Sequence, residues 1–299
     1  MLSVVITAWN EEKNLPRVVA SVKKLADEII VVVDKATTDQ TAEIAKKLGC
    51  RVFSHAHTGI VEPMRNFSIS KATGPWVLIL DADEEVSTSL SSLIQKKIKD
   101  GKDYYRIPRK NIIFGQWIKN THWWPDYVYR LFKKGSITWE NTVHSIPFTK
   151  GEGGDFPATE ESAIVHHHYD SISQYVDRLN RYTDYQADSL QKSGHTLTWS
   201  DLLTKPFAEF LRQFFARAGY KDGLHGLALA GLQAFSELVL YLKVWQARGF
   251  TPAHIPIPEF EKVIKSKSQE LSWWVYQGKI DTAPFFSKIL LKIWRALVR

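Results

Sequence analysis

The stretch WVLILDADEEV, residues 76–86, decides the fold. Its first half is a continuous apolar run with the length of a fully buried strand. Its second half carries four carboxylates within five residues: Asp81, Asp83, Glu84 and Glu85. Two readings of that junction compete. Acids are favoured in the first turn of a helix, where they meet the positive end of its dipole. Alternatively, the cluster holds a divalent cation, and the cation holds phosphate.

Outward from this junction, the N-terminal half alternates strands and helices. LSVVIT (2–7) and EIIVVVD (28–34) read as buried strands, and RVFSH (51–55) as a third. Between them the spacing of Leu15, Val18, Val19, Val22 and Leu25 predicts a helix over 11–25. DQTAEIAKKLG predicts a short helix with Asp39 as N-cap and Gly49 as its stop. A further helix over 65–73 precedes the strand at 76–80. Such alternation means an α/β fold, an open, mostly parallel sheet flanked by helices. Ligands in these sheets bind beyond the carboxyl ends of the strands, which puts residues 7–12, 34–39 and 81–85 on one edge. No glycine-rich phosphate loop follows the first strand, so dinucleotide-binding and Walker-type readings are weak.

The 299 residues, 44% hydrophobic and 24% charged, describe a globular chain able to bury a sizeable core. Residues 1–8 lack the basic flank and length of a secretory signal. The single cysteine, Cys50, excludes an intrachain disulfide framework and fits a reducing cytoplasm. Net charge is +2 over residues 1–169 and +5 over the rest. A basic C-terminal part suggests an anionic partner, nucleic acid or membrane surface. Residues 89–168 read as loop-rich and aromatic, with Trp117, Trp123, Trp124 and Trp139 available for packing or for stacking on a ligand. Beyond Tyr169 the chain reads as helical: 171–190, a helix led by Pro206, then the apolar run 223–246. Glu237 in that run makes a lipid-spanning helix costly. Residues 251–258, with three prolines, read as a linker. The tail PFFSKILLKIWRALVR puts Lys288, Lys292, Arg295 and Arg299 within about 60° of arc on a helix. Phe286, Ile289, Leu290, Ile293 and Leu297 fall opposite, with Trp294 toward them. The tail is expected either to lie on an anionic membrane surface or to pack on the catalytic domain.

ITAWNEEKNL (6–15), VVVDKATTDQTAEIA (31–45) and MRNFSISKATGPWVLILDADEEV (64–86) together resemble the inverting nucleotide-sugar glycosyltransferases of family 2, with the GT-A fold. PDYVYRLFKKGSITWENTVH (125–144) and IVHHHYDSISQYVDRLNRYTDYQA (164–187) are similar to the lipopolysaccharide core glucosyltransferase branch. The resemblance implies a catalytic domain over 1–168 and a helical region over 169–299. It implies Thr7, Trp9, Asn10 and Glu11 around the nucleobase, and Asp34 accepting the imide N–H of uracil. Arg65 would meet base or diphosphate. Asp81 and Asp83 would form the D-x-D pair, Asp81 on the ribose and sharing the metal, Asp83 on Mg²⁺ or Mn²⁺. A third ligand would be His166 or His144, of which His166 better matches the branch. Glu84 and Glu85 are left as helix-start acids.

Inversion needs a carboxylate to take the acceptor hydroxyl proton. Relatives carry Glu after the histidine at the position of His144, but here Ser145 follows, leaving Asp126, Glu140 or His144 as base. The implied activity is hexose transfer from a UDP-linked donor to a saccharide or lipid-linked acceptor at the cytoplasmic face of the membrane, with no nucleic acid as partner. The rivals are a nucleotidyltransferase, which would want a basic glycine-rich loop after strand one, and a basic nucleic-acid-binding protein.

Overall fold

The computed structural model describes residues 1–59, 61–140 and 146–297. The strands are β1 (Leu2–Ala8), β2 (Glu28–Asp34), β3 (Arg51–His55), β4 (Trp76–Asp81), β5 (Glu84–Glu85) and β6 (Tyr104–Ile113). They continue with β7 (Gln116–Trp117), β8 (Asp126–Lys133), β9 (Ile137–Thr138), β10 (Phe148–Thr149), β11 (Gly153–Asp155) and β12 (Ile164–Tyr169). The helices are α1 (Leu15–Val22), α2 (Thr41–Lys47), α3 (Glu62–Lys71), α4 (Thr88–Lys97), α5 (Ile172–Lys192) and α6 (Asp201–Leu211). The last three are α7 (Gly223–Ala247), α8 (Ile257–Thr282) and α9 (Phe285–Leu297). The chain divides into two compact units, Met1–Ile113 with Trp123–His168, and Phe114–His122 with Tyr169–Arg299.

In the first unit the sheet runs β3-β2-β1-β4-β8-β6-β12-β5. The first four strands are parallel, and β8 joins β4 antiparallel. The expected α/β fold with an open, mostly parallel sheet flanked by helices is therefore present. Period-two alternation sends successive residues into two layers. Val4, Ile6, Leu78 and Leu80 pack with Leu15, Val18 and Val22 of α1, whereas Val5, Val77 and Ile79 pack with Met64 and Ile69 of α3. Both faces are covered, which is why these strands read as unbroken apolar runs.

Several local expectations are corrected. α1 starts at Leu15 because the backbone before it is held in a loop: Asn10 has φ 57°, and the Glu11 and Glu12 amides donate to Thr41 Oγ1 and Asp39 Oδ2. Asp39 accepts from the Thr41 amide, closing a side-chain turn ahead of α2 rather than capping it. Gly49, at φ 81°, does end α2, with Cys50 N–H donating to Ala45 and Gly49 N–H to Lys46. Glu84 and Glu85 start no helix: they form β5 against Val165 and His166 of β12, and α4 begins later behind a Ser87 cap. Residues 104–133 are not loop-rich but contain the antiparallel pair β6–β8. α6 begins at Asp201, with Pro206 inside it.

In the second unit α7 packs against α5 and α6, around Ala187, Leu240, Tyr241 and Val244. Residues 219–247 are long and apolar enough to cross a membrane by length and composition. They carry half-buried Glu237 and a Lys243–Asp184 ion pair at 2.6 Å.

The amino end of the sheet is tied by Glu28. Its carboxylate accepts from Ser3 Oγ at 2.5 Å, Thr73 N at 2.6 Å and Thr73 Oγ1 at 2.7 Å, and pairs with Arg51. Burial pushes this carboxyl up, but the hydrogen bonds outweigh it and bring the pKa from 4.5 to about 2. A depressed folded-state pKa stabilises above the unfolded value, and that contribution is lost as pH falls through the folded one. In urea titrations the advantage of wild type over Glu28→Gln should be constant above pH 4.5 and shrink toward pH about 2. A gap that stays the same at every pH would contradict this.

Candidate active site

The carboxyl edge of the parallel strands carries two clusters. The first joins β1 and β2. Asp34, nearly buried, accepts from the Ala36 amide at 2.8 Å and meets His57 Nδ1 at 2.9 Å. Trp9 lies over the same histidine, with ring centroids 5.4 Å apart. Thr7 is buried in register with Asp81. Asn10 accepts from the Thr38 amide, and Glu11 accepts from Asn14 Nδ2, so both shape the loop that presents Trp9. A cleft of about 370 Å³ opens beside Asp34, lined also by Thr37, Asp39, Lys46, Phe53 and Ser54.

The second cluster answers the question posed by the acidic junction. Arg130, only 2% exposed on β8, reaches Asp81 Oδ2 at 2.5 Å and Glu84 Oε1 at 2.6 Å. Arg65 donates to both Asp81 oxygens at 3.0 and 3.1 Å. Arg109 stands 3.6 Å from Glu84 and binds Asp126 Oδ2 through Nε at 2.8 Å and Nη2 at 2.6 Å. Three guanidiniums thus face three carboxylates. Burial alone would raise the Asp81 pKa, yet Arg130 and then Arg65 hold it well below the usual carboxylate range. Burial likewise lowers Arg130, and Asp81 and Glu84 more than restore it. The Nε atoms of Arg65 and Arg130 are buried without a hydrogen-bond partner among the described residues.

The second aspartate of the motif turns elsewhere. Asp83 Oδ2 lies 3.4 Å from His166 Nε2, and the Asp83 carbonyl accepts from the His167 amide. Asn111 Nδ2 donates to the Trp123 carbonyl at 2.8 Å and to Asp126 Oδ2 at 3.1 Å. Its Oδ1 therefore accepts from His166 Nδ1, at 2.6 Å. With the proton on Nδ1, a neutral His166 turns the lone pair of Nε2 toward Asp83. His168 Nδ1 is 3.2 Å from the same nitrogen, and its ring lies 5.1 Å from that of Trp123. Among the described residues no group of three His, Cys, Asp or Glu could hold a metal ion. Asp83 and His166 nonetheless offer two donors facing each other, which fits an ion that draws its other ligands from phosphate and water.

Of the anticipated residues, Trp9 and Asp34 come together at His57, as do Asp81 with Arg65, and Asp83 with His166, while Thr7 lies in register with Asp81. Asn10 and Glu11 belong to the loop scaffold. Asp126 reaches His166 through Asn111. Glu140 is exposed, and His144 lies outside the described residues. Among the Trp cluster, Trp139 is a packing residue of the α3-side core. Sequence reasoning missed His57, Glu84, Arg109, Asn111 and Arg130. For Arg130 a usable signal existed: a charge flanked by Val128, Tyr129, Leu131 and Phe132.

Residues 3–152 match Glycosyl transferase family 2. An uncharacterized glycosyltransferase of Rickettsia conorii is 31% identical over 262 residues, covering 81% of this chain and 89% of its own. The lipopolysaccharide core biosynthesis glycosyltransferase LpsC of Rhizobium meliloti is 24% identical over 260 residues, covering 82% and 92%. Among solved structures, S. aureus TarS is 13% identical with a TM-score of 0.41, covering 81% of this chain and 91% of that one.

Removing Arg130 leaves Asp81 and Glu84 short of a shared counter-charge. Arg130→Ala should cost about 3–5 kcal/mol in chemical denaturation, as for other broken buried pairs. A loss below about 1 kcal/mol, the level of exposed pairs, would show the cluster to be solvated.

Proposed function

The chain belongs to glycosyl transferase family 2, and we propose that it moves a hexose from a UDP-linked sugar, with inversion and with Mg²⁺ or Mn²⁺, to a saccharide or lipid-linked acceptor. The likeness to LpsC supports an acceptor in the lipopolysaccharide core, handled at the inner face of the cytoplasmic membrane. The observation that carries the metal-dependent reading is the Asp83–His166 pair, whose facing acceptor atoms and Asn111-set tautomer match the second-shell support typical of a metal ligand.

In this reading Trp9, Thr7 and Asp34 hold the base, and Asp34 accepts the uracil imide N–H. Asn10 and Glu11 keep the Trp9 loop in place. Asp81, fixed by Arg65 and Arg130, meets the ribose, and Arg65 turns its unpartnered Nε to the diphosphate. The Asp81 carboxylate is neutralised by two guanidiniums, so Asp83 and His166 are the principal metal ligands. The bound ion would neutralise the nucleoside diphosphate as the glycosidic bond breaks.

Asp126 is the proposed base. Its described bonds to Arg109 and Asn111 all end on Oδ2, which leaves Oδ1 for an acceptor hydroxyl. Asp126 takes that proton as the acceptor oxygen bonds to the anomeric carbon, and the bond from that carbon to the diphosphate oxygen breaks. Glu140 and His144 are the other candidates.

Three variants test the roles. Asp83→Ala should abolish Mn²⁺-dependent transfer without lowering the melting temperature; near-normal turnover would sink the ligand assignment. Asp34→Ala should raise the donor KM and leave kcat nearly intact, because the base lies away from the breaking bond. The reverse pattern would contradict it. Asp126→Asn should lower kcat about 10²–10⁴-fold. If Glu140→Gln produces that loss while Asp126→Asn does not, the base is Glu140.

A further inference from the structure

The polarity of the second unit is reversed in one element. Helix α9 separates its residues into a basic and an apolar side, and a soluble protein would bury the apolar one. Here the basic side meets α8: Arg295 pairs with Gln277 and lies 5.1 Å over the Trp273 ring, and Lys288 is half-buried. Among the described residues the apolar side is bare. Phe285 is 75% exposed, Phe286 84%, Ile289 58%, Leu290 64%, and Ile293 and Trp294 55% each. The pattern extends through the unit. Among the described residues, 19 of the 23 exposed large apolar side chains belong to it, including Leu224 and Phe235 on α7 and Ile257 and Ile264 on α8. Six large apolar side chains exposed along one short helix mark an interaction site rather than ordinary surface.

We propose that α9 is a membrane-docking helix that inserts Phe285, Phe286, Ile289, Leu290, Ile293 and Trp294 into the interface of an anionic bilayer. Charge selects this occupant over a second copy of the chain. Residues 262–299 hold eight Lys and Arg against two Asp and Glu, so two such surfaces repel each other while an anionic lipid surface attracts either. Trp294 suits the headgroup boundary, and Lys292, exposed beside the apolar side, reaches headgroups. Membrane attachment is therefore peripheral: α7, though apolar enough to span, is packed against α5 and α6 and keeps its ion pair with Asp184. These observations do not depend on the donor or metal reading.

The test is co-sedimentation of the full chain with vesicles of phosphatidylcholine, alone or mixed with phosphatidylglycerol. Wild type should bind the mixed vesicles and be released by high salt. Leu290→Asp with Ile293→Asp should weaken binding at least about tenfold, since each charge enters a face that must meet acyl chains. Lys292→Gln should weaken it about fivefold on anionic vesicles alone. Melting temperature should be unchanged, and if the aspartate pair fails to fold, Leu290→Ser with Ile293→Ser replaces it. Transfer to a soluble acceptor, measured on the same variants, should persist; its failure in wild type would count against the proposed reaction and not against docking. The proposal is overturned if wild type binds no vesicles or if the folded apolar-face variants bind as wild type does. It is also overturned if those variants only abolish self-association.

Discussion

Arg130 is the residue on which the geometry of the acidic junction depends. It is buried where β4 ends, and it ties Asp81 to Glu84 across the turn between β4 and β5. The Asp81 amide donates to Glu84 Oε2, closing the same turn from the other side. Desolvating these charges is expensive, and the arrangement stands only because each carboxylate finds a guanidinium at hydrogen-bonding distance. With the turn closed this way, Asp83 is released from the cluster and faces His166 on β12. Arg109 extends the ladder to Asp126, and Asn111 returns it to His166. One connected set of charges and amides therefore sets the positions of the proposed ribose contact, metal ligands and base.

The strand–helix skeleton was legible because burial on both sheet faces leaves an unmistakable apolar run. β2 spans the residues expected of it, and β1 and β4 differ from expectation by a single residue at the carboxyl end. Gly49 was legible because a left-handed helix stop needs glycine. Glu84 was not. Its acidity suited a helix start equally well, and only the distant Arg130 on β8 decides that it is a buried ion-pair partner. β6 was hidden for a related reason: Pro108 and the interleaved Arg106, Arg109 and Lys110 break the period that identifies a half-buried strand. Of these charges Arg109 joins the ion ladder, while Arg106 pairs with Asp155 and Lys110 with Glu160. The late start of α1 was hidden because the Asn10 φ and the Asp39 and Thr41 side chains, which hold the preceding chain in a loop, lie outside the apolar period.

The site itself was partly legible. Asp34, Asp81 and Asp83 sit at strand ends, where chain direction alone places them on one edge. His57, which meets Asp34, and Asn111, which holds His166, come from segments whose pairing is set by tertiary packing, so no local pattern announces them. The tail shows a different kind of limit. Its amphipathicity was plain, but whether the apolar side packs or faces outward is a property of what α8 offers it, and Trp273 and Gln277 receive Arg295 instead.

The account stands or falls on whether uridine diphosphate and a metal bind together at the carboxyl edge of this sheet. The direct measurement is a thermal-shift panel of UDP-, GDP-, ADP- and CMP-sugars, each with and without Mn²⁺. A ligand that binds only the folded state at about 100 times its Kd stabilises it by about 2.7 kcal/mol. The expected result is a rise in melting temperature with a UDP-sugar that needs Mn²⁺ and is not matched by the other nucleotides. A shift that ignores Mn²⁺, or no shift with any of the four, would contradict the account.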